Sequence, residues 1–191
     1  MADKIGTNNS ERLEGGADSD VVIGYAGNDN LWGYGGNDIL YGGDGTDVLI
    51  GYGFVGSEVD TLYGGSGNDV FALGDGKSAV FYYGNGNNDY AVIADFQTGD
   101  KILVGGSVNQ YRFTYPLDTK NAKINTNIYY GNDLIATVLG GGGITSSSFI
   151  TLGSSNSSSN NPNLNTSNSL LQALSDTVGG YIASLPSVVP V

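Results

Sequence analysis

The chain has 191 residues, with 7 Lys and Arg against 19 Asp and Glu, and its formal net charge at pH 7 is −12. This charge disfavours nucleic acid as a partner, because nucleic-acid binding depends on basic side chains that neutralise phosphates. Histidine and cysteine are both absent, which excludes disulfides, zinc sites built from thiolate or imidazole, and Ser-His-Asp or Cys-His catalysis.

Residues 6–81 repeat a nine-residue unit with little interruption. Its clearest copies read GYAGNDNLW, GYGGNDILY, GGDGTDVLI and GGSGNDVFA, and an inserted stretch at residues 54–57 predicts a surface bulge in one unit. A short fixed period is typical of repeat folds in which each unit buries its apolar side against its neighbours. The repeat therefore predicts a stack of short coils.

The eighth position of each unit is apolar. Because side chains alternate between the two faces of a strand, eight apolar residues at one phase predict an inward-facing core ladder. The residues are Leu13, Val22, Leu31, Leu40, Leu49, Leu62, Phe71 and Val80.

The sixth position carries an acidic residue in most units. Two units complete one coil, so units two apart stack, and we expect two columns. The first aspartate column contains Glu11, Asp29, Asp47 and Asp69, and the second contains Asp20, Asp38 and Asp60. No basic residue occurs between Arg12 and Lys77, so these carboxylates need a cation that the chain does not carry. Calcium fits, since it takes six to eight oxygen ligands in flexible geometry and glycine-rich turns offer carbonyl oxygens.

The seventh and ninth positions point outward, yet they are largely apolar. They include Val21, Ile23, Trp32, Ile39, Tyr41, Val48, Ile50 and Tyr63. One interpretation is that the C-terminal half of the chain covers one side. The other is an assembly or ligand face, because large exposed apolar patches mark interaction sites. Each interpretation can apply to a different face.

Beyond Tyr82 the period ends and the chain divides further. We predict a calcium-binding roll over residues 1–104 and a β-rich cap over 105–152, where strand-like runs alternate with turns such as Gly131-Asn132-Asp133. Residues 153–169 are a Ser- and Asn-rich linker, and 170–191 hold a short amphipathic helix and tail. The tail is interpreted as an export signal, a cap or a contact with another molecule.

The units resemble the glycine- and aspartate-rich nonapeptides of RTX proteins, whose signature is GGxGxDxUx. The run ADFQTGDKILV is similar to the segment that closes such rolls in serralysin-type proteases and cyanobacterial relatives. The resemblance implies an all-β fold, a right-handed parallel β-roll. It also implies type I export through an uncleaved C-terminal signal, and folding triggered by external calcium.

Calcium ligands follow from the resemblance at positions that match the motif. The aspartates are Asp20, Asp29, Asp38, Asp47, Asp60 and Asp69, and the carbonyl donors are in loops that include Gly24, Gly27, Gly33, Gly36, Gly42, Gly45, Gly64 and Gly67. Whether Glu11, Asp89, Asp95 and Asp100 also bind an ion is left open, as is the number of ions.

These patterns predict a secreted, non-catalytic calcium-binding protein with a structural or adhesive role at the cell surface or in extracellular matrix, self-assembling into a filament or lattice. The alternatives are a module that binds surface polysaccharide through rings such as Tyr34 and Tyr52, or a detached secretion and folding module of a larger exoprotein. The first sixteen residues contain no apolar core of a signal peptide, and no apolar run reaches the roughly 20 residues of a membrane helix. We therefore expect neither a cleaved signal peptide nor membrane insertion.

Overall fold

The structure is a computed structural model that describes residues 3–53, 56–118, 120, 123–141 and 144–151. Within these ranges it contains sixteen β-strands and three short 3-10 helices, so the predicted all-β class is confirmed. The predicted linker at 153–169 and the predicted helix and tail at 170–191 lie outside the described residues, as do two residues of the predicted bulge, 54 and 55. No helix of the described part is long and apolar enough to cross a membrane.

The roll over residues 1–104 contains ten strands that alternate between two sheets. They are β1 Lys4–Ile5, β2 Arg12–Gly16, β3 Val21–Ala26, β4 Asn30–Tyr34, β5 Ile39–Gly45, β6 Val48–Ile50, β7 Val59–Gly67, β8 Val70–Ala72, β9 Tyr90–Ile93 and β10 Lys101–Leu103. The first sheet contains the odd-numbered strands in the order β1-β3-β5-β7-β9, and the second contains the even-numbered strands from β2 to β10. All neighbours within these two runs are parallel.

The register confirms that units two apart stack. Val22 lies beside Leu40, and Leu40 lies beside Leu62, although the inserted residues lengthen the chain between the second pair. In the second sheet Leu31 lies beside Leu49, and Leu49 beside Phe71. The insertion is therefore absorbed in the turn before β7 and leaves the strand register intact.

The predicted ladder forms the centre of the core. Six of its members and their continuations in later strands are fully buried: Val22, Leu31, Leu40, Leu49, Leu62, Phe71, Ile93 and Ile102. Each such side chain stabilises the fold by about 1.5–3 kcal/mol relative to an exposed one. Leu13, in the edge strand β2, is only partly buried.

A second group of strands closes one end of the roll. These strands are β11 Tyr111–Thr114, β12 Leu117–Asp118, β13 Lys123–Ile124, β14 Thr126–Tyr130, β15 Asp133–Val138 and β16 Phe149–Ile150. The strand β15 pairs in parallel with β9 and continues the first sheet through antiparallel β14 and β11. The strand β16 continues the second sheet beside β10, and β12 and β13 form a separate pair. All of these strands lie within residues 105–152, where the sequence predicts a β-rich cap.

The outward rows of the two sheets differ in exposure. In the second sheet Trp32 and Ile50 are each 1% exposed, and Val48 is also buried. In the first sheet Ile39 is only half-buried and Tyr41 is 38% exposed. The apolar row that the sequence places on the outside is therefore covered on one sheet and partly open on the other.

Candidate metal centre

The first aspartate column is held together by backbone-to-carboxylate hydrogen bonds. The amides of Glu11, Asp29 and Asp47 donate to Oδ1 of Asp29, Asp47 and Asp69, at 2.8, 2.8 and 2.9 Å. The Asp69 amide donates in turn to Oδ1 of Asp100 at 3.0 Å. Asp100 therefore continues the column, whereas Glu11 joins it through its backbone.

The second aspartate column has the same amide-to-Oδ1 hydrogen bonds as far as Asp60. The Asp20 amide donates to Asp38 Oδ1 and the Asp38 amide to Asp60 Oδ1, both at 2.8 Å. One coil further on, Glu58 instead of Asp60 takes the equivalent place, and its amide donates to Asp89 Oδ1 at 3.4 Å. This change occurs because the register of β7 and β9 sets Val59 beside Tyr90.

The second carboxylate oxygen of most column members has no hydrogen-bond partner. This holds for buried Oδ2 atoms of Asp29, Asp38, Asp47 and Asp69, and for Oε2 of Glu58. A buried charged oxygen without a partner is costly, because it has lost water and gained nothing in return. These atoms therefore point to a cation.

First-position glycines make room for these oxygens. A Cβ on Gly24 would collide with Asp29 Oδ2 and with the carbonyl oxygen of Gly42 in the next coil. At Gly42 the equivalent atoms are Asp47 Oδ2 and the carbonyl oxygen of Gly64. A carboxylate oxygen and a carbonyl oxygen thus face the same small space, and both are hydrogen-bond acceptors.

Fourth-position glycines shape the turn backbone. Gly27 has φ 118° and Gly45 has φ 142°, and a Cβ on Gly45 would collide with the carbonyl oxygen of Gly27. Side chains rarely adopt such φ values, so these two positions require glycine. At the second position, Tyr25 and Tyr34 hold positive φ values of 80° and 70° that glycine adopts in later units.

Burial opposes ionisation of the column carboxylates. It raises the pKa of Asp38 and Asp47 to about 6, that of Asp69 to about 7 and that of Glu58 to about 8. Neighbouring carboxylates add to the effect at each of the four groups. A divalent cation at these oxygens would reverse the effect, because it stabilises the ionised form.

The donor set fits calcium. It consists of carboxylate and carbonyl oxygens, and calcium is a hard cation that binds oxygen. No group of three or more acidic side chains converges on one point in the described residues. Backbone carbonyls must therefore supply much of any coordination sphere, which is the role that the sequence assigns to the glycine loops.

The four residues left open by the sequence have distinct partners. Glu11 accepts the Thr7 amide at 2.5 Å, and Asp95 accepts the amides of Gly64 and Gly65 at 2.9 and 3.0 Å. Asp100 Oδ2 accepts the Gln97 amide at 2.8 Å. Asp89 Oδ2 accepts the side-chain amide of Asn85 at 3.0 Å. These hydrogen bonds organise the column ends.

Sequence reasoning missed two residues of the site, Glu58 and Tyr82. Glu58 lies next to the inserted residues, outside the nine-residue pattern, and its Oε1 accepts the Gly53 amide at 2.7 Å. The Tyr82 hydroxyl donates to Asp60 Oδ2 at 2.6 Å. The insertion is the signal that this turn differs, but nothing in the repeat indicates Tyr82.

The fold and its oxygen-lined columns define a calcium-binding β-roll. Comparison with protein families identifies the repeats: a model of the RTX calcium-binding nonapeptide repeat matches residues 5–40, 23–53 and 54–77. This part of the chain therefore consists of RTX calcium-binding repeats, and it binds Ca²⁺ at several sites.

Among solved structures, the chain is similar to the AlgE6R3 subunit of the mannuronan C5-epimerase from Azotobacter vinelandii. The two chains share 20% sequence identity, and the alignment covers 82% of this chain and 86% of that one, with a TM-score of 0.32. Comparison with curated protein sequences gave no match.

Proposed function

We propose that the chain is a secreted, non-catalytic protein that folds on meeting extracellular calcium and then serves a structural or adhesive role. The observation that carries this proposal is the row of buried Oδ2 atoms without partners at Asp29, Asp38, Asp47 and Asp69. Such a row is unfavourable without cations and favourable with them, so calcium binds the folded chain and not the unfolded one. Ligand binding of that kind stabilises the fold by mass action.

The proposal places folding outside the cell because of calcium supply. Extracellular calcium-binding modules have dissociation constants on the order of 10⁻⁴ to 10⁻³ M, far above cytosolic calcium. A chain that depends on such sites stays unfolded during export and folds afterwards. The acidic repeats, with a net charge of −12 for the whole chain, favour the unfolded form by self-repulsion until cations arrive.

Two features of the roll support a structural or adhesive role. The outer row of the first sheet contains stacked rings, with Tyr41 and Tyr63 centroids 4.7 Å apart, and Tyr25 nearby is 51% exposed. The strands β1 and β2 are the outermost of their sheets, and Ile5 in β1 is 64% exposed. Open strand edges pair readily with other chains. We propose that the open edges mediate contacts between copies of the chain.

A second candidate is binding to surface polysaccharide, which the exposed tyrosines of the first sheet favour. Light scattering of the chain in calcium, with and without a soluble acidic polysaccharide, separates the two roles. Calcium-dependent growth of the chain alone supports self-association. A monomer that binds the polysaccharide supports the second candidate, and a monomer that binds nothing contradicts both. Magnesium at equal ionic strength is the control, because it favours tighter octahedral geometry.

A further inference from the structure

The turn from Gly51 to Asp60 differs from the other turns at one atom. The Tyr82 hydroxyl, on a side chain that is completely buried, donates a hydrogen bond to Asp60 Oδ2 at 2.6 Å. Its ring lies 5.1 Å from that of Tyr52, tilted by 59°, and Tyr52 stacks on Phe81 at 5.2 Å. The hydroxyl is therefore held in place by packing on its ring.

The hydroxyl occupies the position that a backbone carbonyl takes in other turns. A Cβ on Gly24 or Gly42 would collide with an Asp Oδ2 and a glycine carbonyl oxygen, whereas a Cβ on Gly51 would collide with Asp60 Oδ2 and the Tyr82 hydroxyl oxygen. Two acceptors that face each other need a cation between them. A hydroxyl that faces a carboxylate provides its own proton, so Asp60 Oδ2 is satisfied without a cation.

The loop before β9 explains how Tyr82 reaches this position. Residues 73–89 connect β8 to β9, whereas only residues 35–38 connect β4 to β5. Asp75 Oδ1 organises the loop by accepting the amides of Lys77, Ser78 and Ala79, each at 2.8 Å. The Phe81 amide then donates to the Leu73 carbonyl oxygen at 3.0 Å, which brings the loop back over the roll. The last nine-residue unit, LGDGKSAVF, has Ser78 in place of aspartate at its sixth position, and Tyr82 follows this unit directly.

We propose that Tyr82 replaces a calcium ion at Asp60. Asp60 Oδ2 takes no cation, although Asp60 matches the repeat motif. Among the aspartates of the second aspartate column, calcium is bound at the turns of Asp20 and Asp38. At Asp60 a hydrogen bond takes the place of the ion. This inference rests on calcium binding by the other turns.

The test is to count bound ions in the full chain by native mass spectrometry in calcium. Asp60→Asn keeps Oδ1 for the Asp38 amide, and its side-chain NH₂ can donate to the Tyr82 hydroxyl oxygen, so the expected ion count equals that of the wild type. Asp47→Asn is the matched control at the same repeat position, where Oδ2 has no partner, and at least one ion should be lost. Loss of an ion in Asp60→Asn, as in Asp47→Asn, would overturn the inference.

Tyr82→Phe provides an independent test if Asp60→Asn does not fold. It removes only the hydroxyl, so we expect no fewer ions than in the wild type and a higher calcium concentration at the folding midpoint. A count lower by one would make the hydroxyl a ligand of a bound ion and would overturn the inference. A wild-type chain that binds no calcium would overturn both this inference and calcium-triggered folding. If the wild type binds calcium and Asp60→Asn loses an ion, only this inference is overturned.

Discussion

Replacing Asp47 by Asn should change stability in opposite directions with and without calcium. Asp47 is completely buried, and its Oδ1 accepts the Asp29 amide at 2.8 Å while its Oδ2 has no partner. Asparagine keeps the first of these hydrogen bonds. Its side-chain NH₂ replaces Oδ2, where it can donate to the carbonyl oxygen of Gly64 that faces the same space.

The size of the effect without calcium follows from the pKa. Burial raises the pKa of Asp47 from 3.8 to about 6, and a shift of this size corresponds to roughly 3 kcal/mol against the ionised side chain at pH 7. Asparagine carries no charge and avoids this cost. We therefore expect the calcium-free variant to be more stable than the calcium-free wild type, by up to about 3 kcal/mol.

In saturating calcium Asp47→Asn should destabilise the fold, because the variant loses a ligand that the ion needs. An ion present at 100 times its dissociation constant stabilises the fold by about 2.7 kcal/mol, and this contribution disappears. Circular dichroism in chelator at pH 7, where the variant should retain more β structure than the wild type, measures the first effect, and urea unfolding in millimolar calcium measures the second. Asp44→Asn is the control, because Asp44 is exposed and this substitution removes the same charge. Less β structure in Asp47→Asn than in the wild type in chelator would refute the reasoning.

Three further predictions concern pH, the turn backbone and the core. Without calcium, the column carboxylates bind protons more tightly in the folded chain, with pKa values of about 6 to about 8. The stability that protonation supplies is therefore fully present below the unfolded pKa values near 4 and is lost as pH rises through 6 to 8. Circular dichroism in chelator should show β structure decreasing from pH 5 to pH 8, and an increase would contradict this. Gly45→Ala should destabilise the calcium-bound chain by more than about 1 kcal/mol in urea unfolding, because φ is 142° and Gly27 blocks the Cβ. Gly16→Ala, where φ is not positive, should be tolerated, and equal losses would refute the argument. Leu49→Ala should cost about 2–5 kcal/mol in the same assay, because Leu49 is completely buried in the ladder, and a cost below 1 kcal/mol would contradict its place in the core.

The repeat made most of the roll predictable, because period, phase and stacking depend on local spacing alone. Leu40 lies beside Leu62, and the Asp38 amide donates to Asp60 Oδ1, as counting the units predicts. The insertion does not disturb this order, since extra residues in a turn leave the strand register unchanged. The two aspartate columns therefore follow from the spacing of the repeat.

The hydrogen bond from Tyr82 to Asp60 could not be predicted, because it joins residues that are distant in the sequence. Tyr82 lies in the loop between β8 and β9, which has no period, and no spacing rule relates a phenol to a carboxylate in another coil. The exposure of the outward rows could not be predicted either. Trp32 and Tyr41 occupy equivalent ninth positions, yet one is buried and the other exposed. Which sheet is covered depends on tertiary packing, and the repeat is the same on both.

The most direct test of calcium-dependent folding is a calcium titration of the full chain at pH 7 and constant ionic strength, monitored by far-ultraviolet circular dichroism. Buried carboxylates without partners predict little β structure in chelator and a cooperative rise with a midpoint on the order of 10⁻⁴ to 10⁻³ M. Magnesium at the same concentration should produce a smaller change. Equal β content in chelator and in millimolar calcium would contradict the account.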